Sequence, residues 1–83
     1  MVKFIIAEQL VGKEIITSDG FLLGSFVDAE FNENTGKLEK IIVDPAENEL
    51  TKKLTLKDGK LEIPYNGVLA VNDFIIVDRK ALS

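Results

Sequence analysis

The chain holds neither histidine nor cysteine, so carboxylates are the remaining option for side chains that could carry chemistry. The commonest general base and the strongest natural nucleophile are therefore both missing, which removes Ser-His and Cys-His mechanisms. Zinc loses its usual ligands for the same reason. Oxygen ligands for a hard cation remain. Asp28 and Glu30 share a strand face, and Asp44, Glu47 and Glu49 lie close in sequence. Neither group follows the twelve-residue calcium-loop pattern, and alternating acids on a strand mark a solvated face. No metal site is expected. Six glycines are present, at 12, 20, 24, 36, 59 and 67. None belongs to a Gly-x-Gly-x-x-Gly or Walker-type loop, and Gly12-Lys13 is followed by Glu14, whose charge opposes a nearby phosphate. These residues predict a protein without catalytic residues and without a cofactor.

Charge narrows the partners. The net charge is −4 and the basic residues are thinly spread, so no electrostatic footprint for a phosphate backbone or an anionic membrane surface is visible. Free nucleic acid is not an expected partner. An RNA-associated role would require Lys37, Lys40, Lys52, Lys53, Lys57 and Lys60 to converge on one surface. Met1 to Ala7 is too short for a secretory apolar region and too short to span a bilayer. A cytoplasmic protein with no membrane insertion is the expectation, and the absence of cysteine is compatible with a reducing compartment.

The elements that must carry these residues are strands punctuated by turns. The 83 residues make one domain, 1–83, and a chain with 46% apolar and 29% charged residues has a folding composition. Asp19-Gly20 between Glu14–Thr17 and Leu22–Val27 predicts a hairpin. Asn34-Thr35-Gly36 predicts a second, between Val27–Phe31 and Leu38–Val43. Asp58-Gly59 predicts a third that pairs Leu56 with Leu61 and Leu54 with Ile63. Asn72-Asp73 joins Val68–Val71 to Phe74–Val77. A short helical segment is expected near residues 46–53, opened by Pro45, with Glu47 and Glu49 at its start and Lys52 and Lys53 at its end. Asn66-Gly67 reads as a short irregular crossover, and Gly24 as a bulge or bend. Six or seven short strands hide their edges best by curling, so the expected fold is an all-β small barrel.

Apolar residues outnumber the positions that one barrel face provides. Ile5-Ile6, Ile15-Ile16, Leu22-Leu23, Ile41-Ile42-Val43 and Phe74-Ile75-Ile76-Val77 do not alternate with polar residues. Two explanations stand side by side. The second face is covered internally, by the segment around Leu50 and Leu54 or by the N-terminal strand, or it is an exposed patch for a partner. Leu22, Phe26, Ile75 and Val77 are the candidate protein-interaction residues. A domain this small buries only about 60–65% of its unfolded surface and has no disulfide to help, so a homodimer is expected.

Leu10-x-Gly12-Lys13-Glu14-Ile15, then Asp19-Gly20, Leu23-Gly24, Asp28, Thr35-Gly36-Lys37, and finally Ile63-Pro64-Tyr65 with Val68, Ala70, Val71 and Asp73 resemble the PRC-barrel family. The resemblance runs from Leu10 to Val77. It implies a small β-barrel like those of the photosynthetic reaction-centre H subunit and a ribosome-maturation factor, and specifically the stand-alone archaeal type. It also implies a non-catalytic protein-interaction module, an adaptor with a place in archaeal cell division. The alternative is an RNA- or ribosome-associated accessory barrel. A small-molecule sensor is disfavoured, because side chains fill so small a barrel. Two positions depart from the family pattern: Phe26 is larger than the usual small aliphatic, and Asn66-Gly67 replaces a polar or acidic pair. The family pattern draws attention to Asp28 as a catalytic acid, but a carboxylate that bonds backbone amides near a bend accounts for it.

Overall fold

The computed structural model describes residues 9–82. Among them, strands β1 (Glu14–Thr17), β2 (Leu22–Phe31) and β3 (Leu38–Pro45) form a meander. A single helical turn, α1 (Glu49–Lys52), precedes β4 (Leu61–Pro64), a 3-10 turn at Tyr65–Gly67, β5 (Val68–Val71) and β6 (Ile75–Val77). A second 3-10 turn covers Arg79–Leu82. The strands lie in one six-stranded sheet in the order β4-β3-β2-β1-β6-β5. Neighbours are antiparallel except β1 and β6, which run parallel with Ile15 opposite Ile75 and Thr17 opposite Val77.

The two ends of this sheet, β4 and β5, are consecutive in the chain and joined by three residues, Tyr65–Gly67. Three residues span at most about 11 Å, so the sheet must curl until its first and last strands are near neighbours. Hydrogen bonds do not close it: the ladder stops at β4 on one side and at β5 on the other. The result is an all-β barrel left open along one seam.

Turn chemistry sets the register. Gly20 takes a φ of +94° at the tip of the β1–β2 hairpin. There the Thr17 hydroxyl accepts the Phe21 amide at 2.8 Å and itself donates to Asp19. The Asn32 side chain accepts the amides of Asn34 and Thr35, which folds the β2–β3 loop onto itself. Both expected hairpins are present, as are the β5–β6 hairpin and the crossover at Asn66-Gly67. The crossover also keeps a helical turn despite the departure from the family pattern at this element.

One hairpin differs. Asp58 and Gly59 both take positive φ, 53° and 77°, in a tight two-residue turn, but only Lys57 and Lys60 pair across it. Leu61 and Ile63 pair instead with Val43 and Ile41 of β3. The longer β3 strand offers a complete ladder, and the chain from Lys53 to Leu56 is left as a connection. Leu54 packs against the core while Leu56 is exposed. The helix is also shorter than expected and starts later. Pro45 ends β3, and Asn48 is the cap, accepting the Thr51 amide at 2.9 Å while the Thr51 hydroxyl accepts the Asn48 amide at 3.1 Å.

Ile15, Leu23, Phe26, Ile41, Val43, Leu50, Leu61, Ile63, Ile75 and Val77 form the core. The doublets that break alternation resolve into one buried and one more exposed residue: Ile15 over Ile16, Leu23 over Leu22, Ile41 and Val43 around Ile42, Ile75 over Phe74. Leu50 of the helical turn is buried and Leu54 lies against the core, so part of the cover is internal. The expectation of a covering N-terminal strand falls on residues outside those described.

Candidate functional site

The β2–β3 hairpin is longer than the strands beside it. β1 accompanies β2 only from Leu22 to Ser25, whereas the β2–β3 ladder continues to Phe31 opposite Leu38. Beyond Ser25 no strand of the described residues flanks the other edge of β2. β5, at the end of the sheet, pairs with β6 alone. The seam therefore opens into an apolar groove of about 400 Å³ between the distal half of the hairpin and β5.

Buried side chains of Phe26, Ile41 and Ile75 make its floor. Half-buried Leu10, Ala29, Phe31, Leu38 and Val68 form the walls, and exposed Tyr65, Val71 and Lys37 stand at the rim. Tyr65 is 49% and Val71 46% exposed, large values for side chains that border an apolar groove. Val68 and Val71 both reach it although they are three apart, because the β5–β6 register shifts between Val68 and Ala70. A bulge of this kind reverses which residues share a face.

The four candidate interaction residues separate accordingly. Phe26 and Ile75, at 2% and 1% exposure, are core residues that present their surface only as the groove floor. Val77 is fully buried beside them and does not line the groove, so it has no surface to offer a partner. Leu22 is 38% exposed, away from the groove. Packing is the physical reason: Phe26, Ile75 and Val77 belong to the inward parity of the barrel. Tyr65, Val71, Phe31 and Leu38 were not among the candidates. The sequence hint at them was the surplus of apolar residues.

Apart from Lys37 at the rim, the charged groups lie elsewhere. Lys40 bonds Glu62 at 2.7 Å and lies 3.6 Å from Glu30, and Lys60 is 3.8 Å from Asp44. The Lys40 hydrogen bond holds the Glu62 carboxyl below its ordinary value, and Glu62 in turn raises the Lys40 ammonium. Asp19 is lowered, first by the Thr17 hydroxyl and then by Arg79, whose guanidinium is 2.7 Å away and 5.4 Å from the Phe21 ring centroid. Asp28 is exposed and accepts the Ala29 amide at 2.7 Å, beside the register shift between Phe26 and Asp28. Among the described residues no group of three or more acids could hold a metal ion, and no helix is long and apolar enough to cross a membrane. The arrangement can bury an apolar chain, and no set of residues in it points to catalysis.

The family model for the PRC-barrel domain matches residues 3–82. The chain is a PRC-barrel protein. PRC-barrel domains mediate protein interactions. An uncharacterized protein of the archaeon Methanocaldococcus jannaschii is 31% identical over 78 residues, which covers 93% of this chain and 84% of that protein. The similarity of this PRC-barrel to it accords with the stand-alone archaeal type.

Proposed function

We propose that this PRC-barrel is a non-catalytic adaptor that receives an apolar, extended segment of a protein partner in the groove between the β2–β3 hairpin and β5. The observation that carries the reading is a 400 Å³ groove with an apolar floor and walls, bordered by exposed Tyr65 and Val71. Strand edges beside an apolar trough suit β-strand addition, in which backbone hydrogen bonds supply affinity and alternate side chains fill pockets. Self-association belongs to the same reading. β5 is an edge strand with no charged residue, and Leu69, Val71 and nearby Phe74 are exposed, features that invite pairing with a second copy. The cytoplasmic location and the place in archaeal cell division rest on sequence reading and family resemblance, and co-localisation with the division ring tests the latter.

Capture from native extract with cross-linking tests the adaptor role. Cross-links are expected at the groove rim, and Val71→Asp is expected to abolish capture while the thermal transition is retained. Equal capture by that variant would overturn the proposal. The RNA-associated alternative is less well supported, since Lys40 and Lys60 of the six lysines are engaged with carboxylates.

A further inference from the structure

Among the described residues no ladder joins β4 to β5, yet the segment Asp78–Leu82 crosses the seam between them. It leaves β6, on the β5 side, and its 3-10 turn, Arg79–Leu82, lies against β4 and the crossover Tyr65–Gly67. The Asp78 amide donates to the Gly67 carbonyl at 2.7 Å. Gly67 is buried, and a Cβ on it would overlap the Cβ of Ala81. Leu82 packs against the core. The start of the segment is tied to the β1–β2 turn. There the Ser18 amide donates to the Val77 carbonyl at 2.8 Å, the Arg79 amide to the Ser18 hydroxyl at 3.3 Å, and the Arg79 guanidinium to Asp19 at 2.7 Å. Asp78 accepts the Ala81 amide at its carbonyl and the Lys80 amide at its carboxylate, which holds the turn in shape.

We propose that Asp78–Leu82 is a clasp that closes the barrel across its seam in place of a β4–β5 ladder, and that its release frees β4 and β5 while the β2–β3 hairpin stays folded. The polar half of the clasp is soft. Arg79 and Asp19 are 44% and 49% exposed, so water and salt weaken their pair. The apolar half is exacting, because Ala81 leaves no room for a side chain at Gly67. Tyr65 and Val68, on either side of Asn66-Gly67, line the groove, so the clasp also fixes the groove's mouth. The clasp holds whatever occupies the groove.

Amide hydrogen exchange in the full chain tests this. Gly67 takes no positive φ, so alanine meets no backbone strain there and its cost comes from Ala81. Gly67→Ala is expected to speed exchange of the protected amides of β4 and β5 at least about tenfold, and to leave the amides bonded between β2 and β3 within about threefold of wild type. Adding Ala81→Gly should bring β4 and β5 back to within about threefold of wild type, which two independent destabilising changes would not do. Arg79→Gln, a surface change, should speed β4 and β5 by about two- to fivefold and spare the hairpin; it decides the matter if Gly67→Ala does not fold. Exchange that rises equally in every strand, or does not rise in β4 and β5, would overturn the proposal. So would a double variant no better protected than Gly67→Ala.

Discussion

Gly24 lies directly against the carbonyl of Asp44, so close that a Cβ at this position would overlap the oxygen. Its φ of +152° is also one that side chains rarely adopt. The residue pairs with both Ile15 and Pro45, and the β1–β2 register shifts beside it. It is thus where β2 bends between its two neighbours. Gly24→Ala combines strain with a backbone collision and is expected to cost at least about 2 kcal/mol. Urea unfolding measures it, and a midpoint equal to that of the wild type would refute the assignment.

Lys40 and Glu62 link β3 to β4, and the pH dependence of their contribution has a defined sign. Glu62 is held below its ordinary value by the hydrogen bond from Lys40. Its contribution is present above the ordinary carboxylate range and is lost as pH falls through the lowered value. Lys40 is raised, so its contribution persists below the ordinary lysine value and is lost as pH rises through the higher one. The two side chains are partly exposed, at 30% and 29%, so solvent screens the pair and keeps the effect small. Lys40→Met is expected to melt lower than wild type at neutral pH, with the gap closing below about pH 4. Thermal unfolding across this range checks it. A gap that does not change with pH would show that the ion pair is not its source.

The turns were legible because each depends on a few adjacent residues. Asp19-Gly20, Asn34-Thr35-Gly36 and Asn72-Asp73 all lie between paired strands, and Gly24 bends its strand as its type suggested. What escaped the sequence was parity and competition between strands. Shifts at Phe26/Asp28 and Val68/Ala70 reverse the inward face within a strand. Alternation could not show, therefore, that Phe26 points inward while Val71 borders the groove. Leu54 and Leu56 matched Leu61 and Ile63 in pattern, yet β3 competed for the same partners and won. The groove is assembled from residues as far apart as Leu10 and Ile75, and no local motif announces such a site. Its apolar character was visible only as a surplus, and three of the four residues chosen to explain that surplus form the core.

Asn48 does three things at once. Its side-chain oxygen caps the Thr51 amide, its backbone amide bonds the Thr51 hydroxyl, and its side-chain nitrogen donates to the Leu22 carbonyl at 2.7 Å. It therefore anchors the helical turn and ties it to β2, over the core that Leu50 enters. Asn48→Ala is expected to cost about 1–2 kcal/mol. Asn48→Asp keeps the acceptor and loses the donor, so its melting temperature should fall between the two. An Asn48→Asp protein as unstable as Asn48→Ala would mean that the bond to Leu22, rather than the cap, carries the stability.

Phe26 and Val71 line the same groove but hold different positions in the barrel, and this separates stability from binding. Phe26 is a buried side chain packed among the core residues, so Phe26→Ala leaves a cavity and is expected to cost about 3–5 kcal/mol. Any loss of partner binding in that variant follows from unfolding and says little about the groove. Val71 is 46% exposed on an edge strand, where a substitution changes stability by only about 0.5–1 kcal/mol. A carboxylate there must lose its hydration when an apolar segment enters the groove, which costs the complex far more than the free protein. Val71→Asp is therefore expected to keep its unfolding free energy within about 1 kcal/mol of wild type while losing its captured partner. Leu22→Asp, exposed but away from the groove, should retain both. Should Leu22→Asp lose the partner and Val71→Asp keep it, the binding surface lies near the β1–β2 turn and not along the seam.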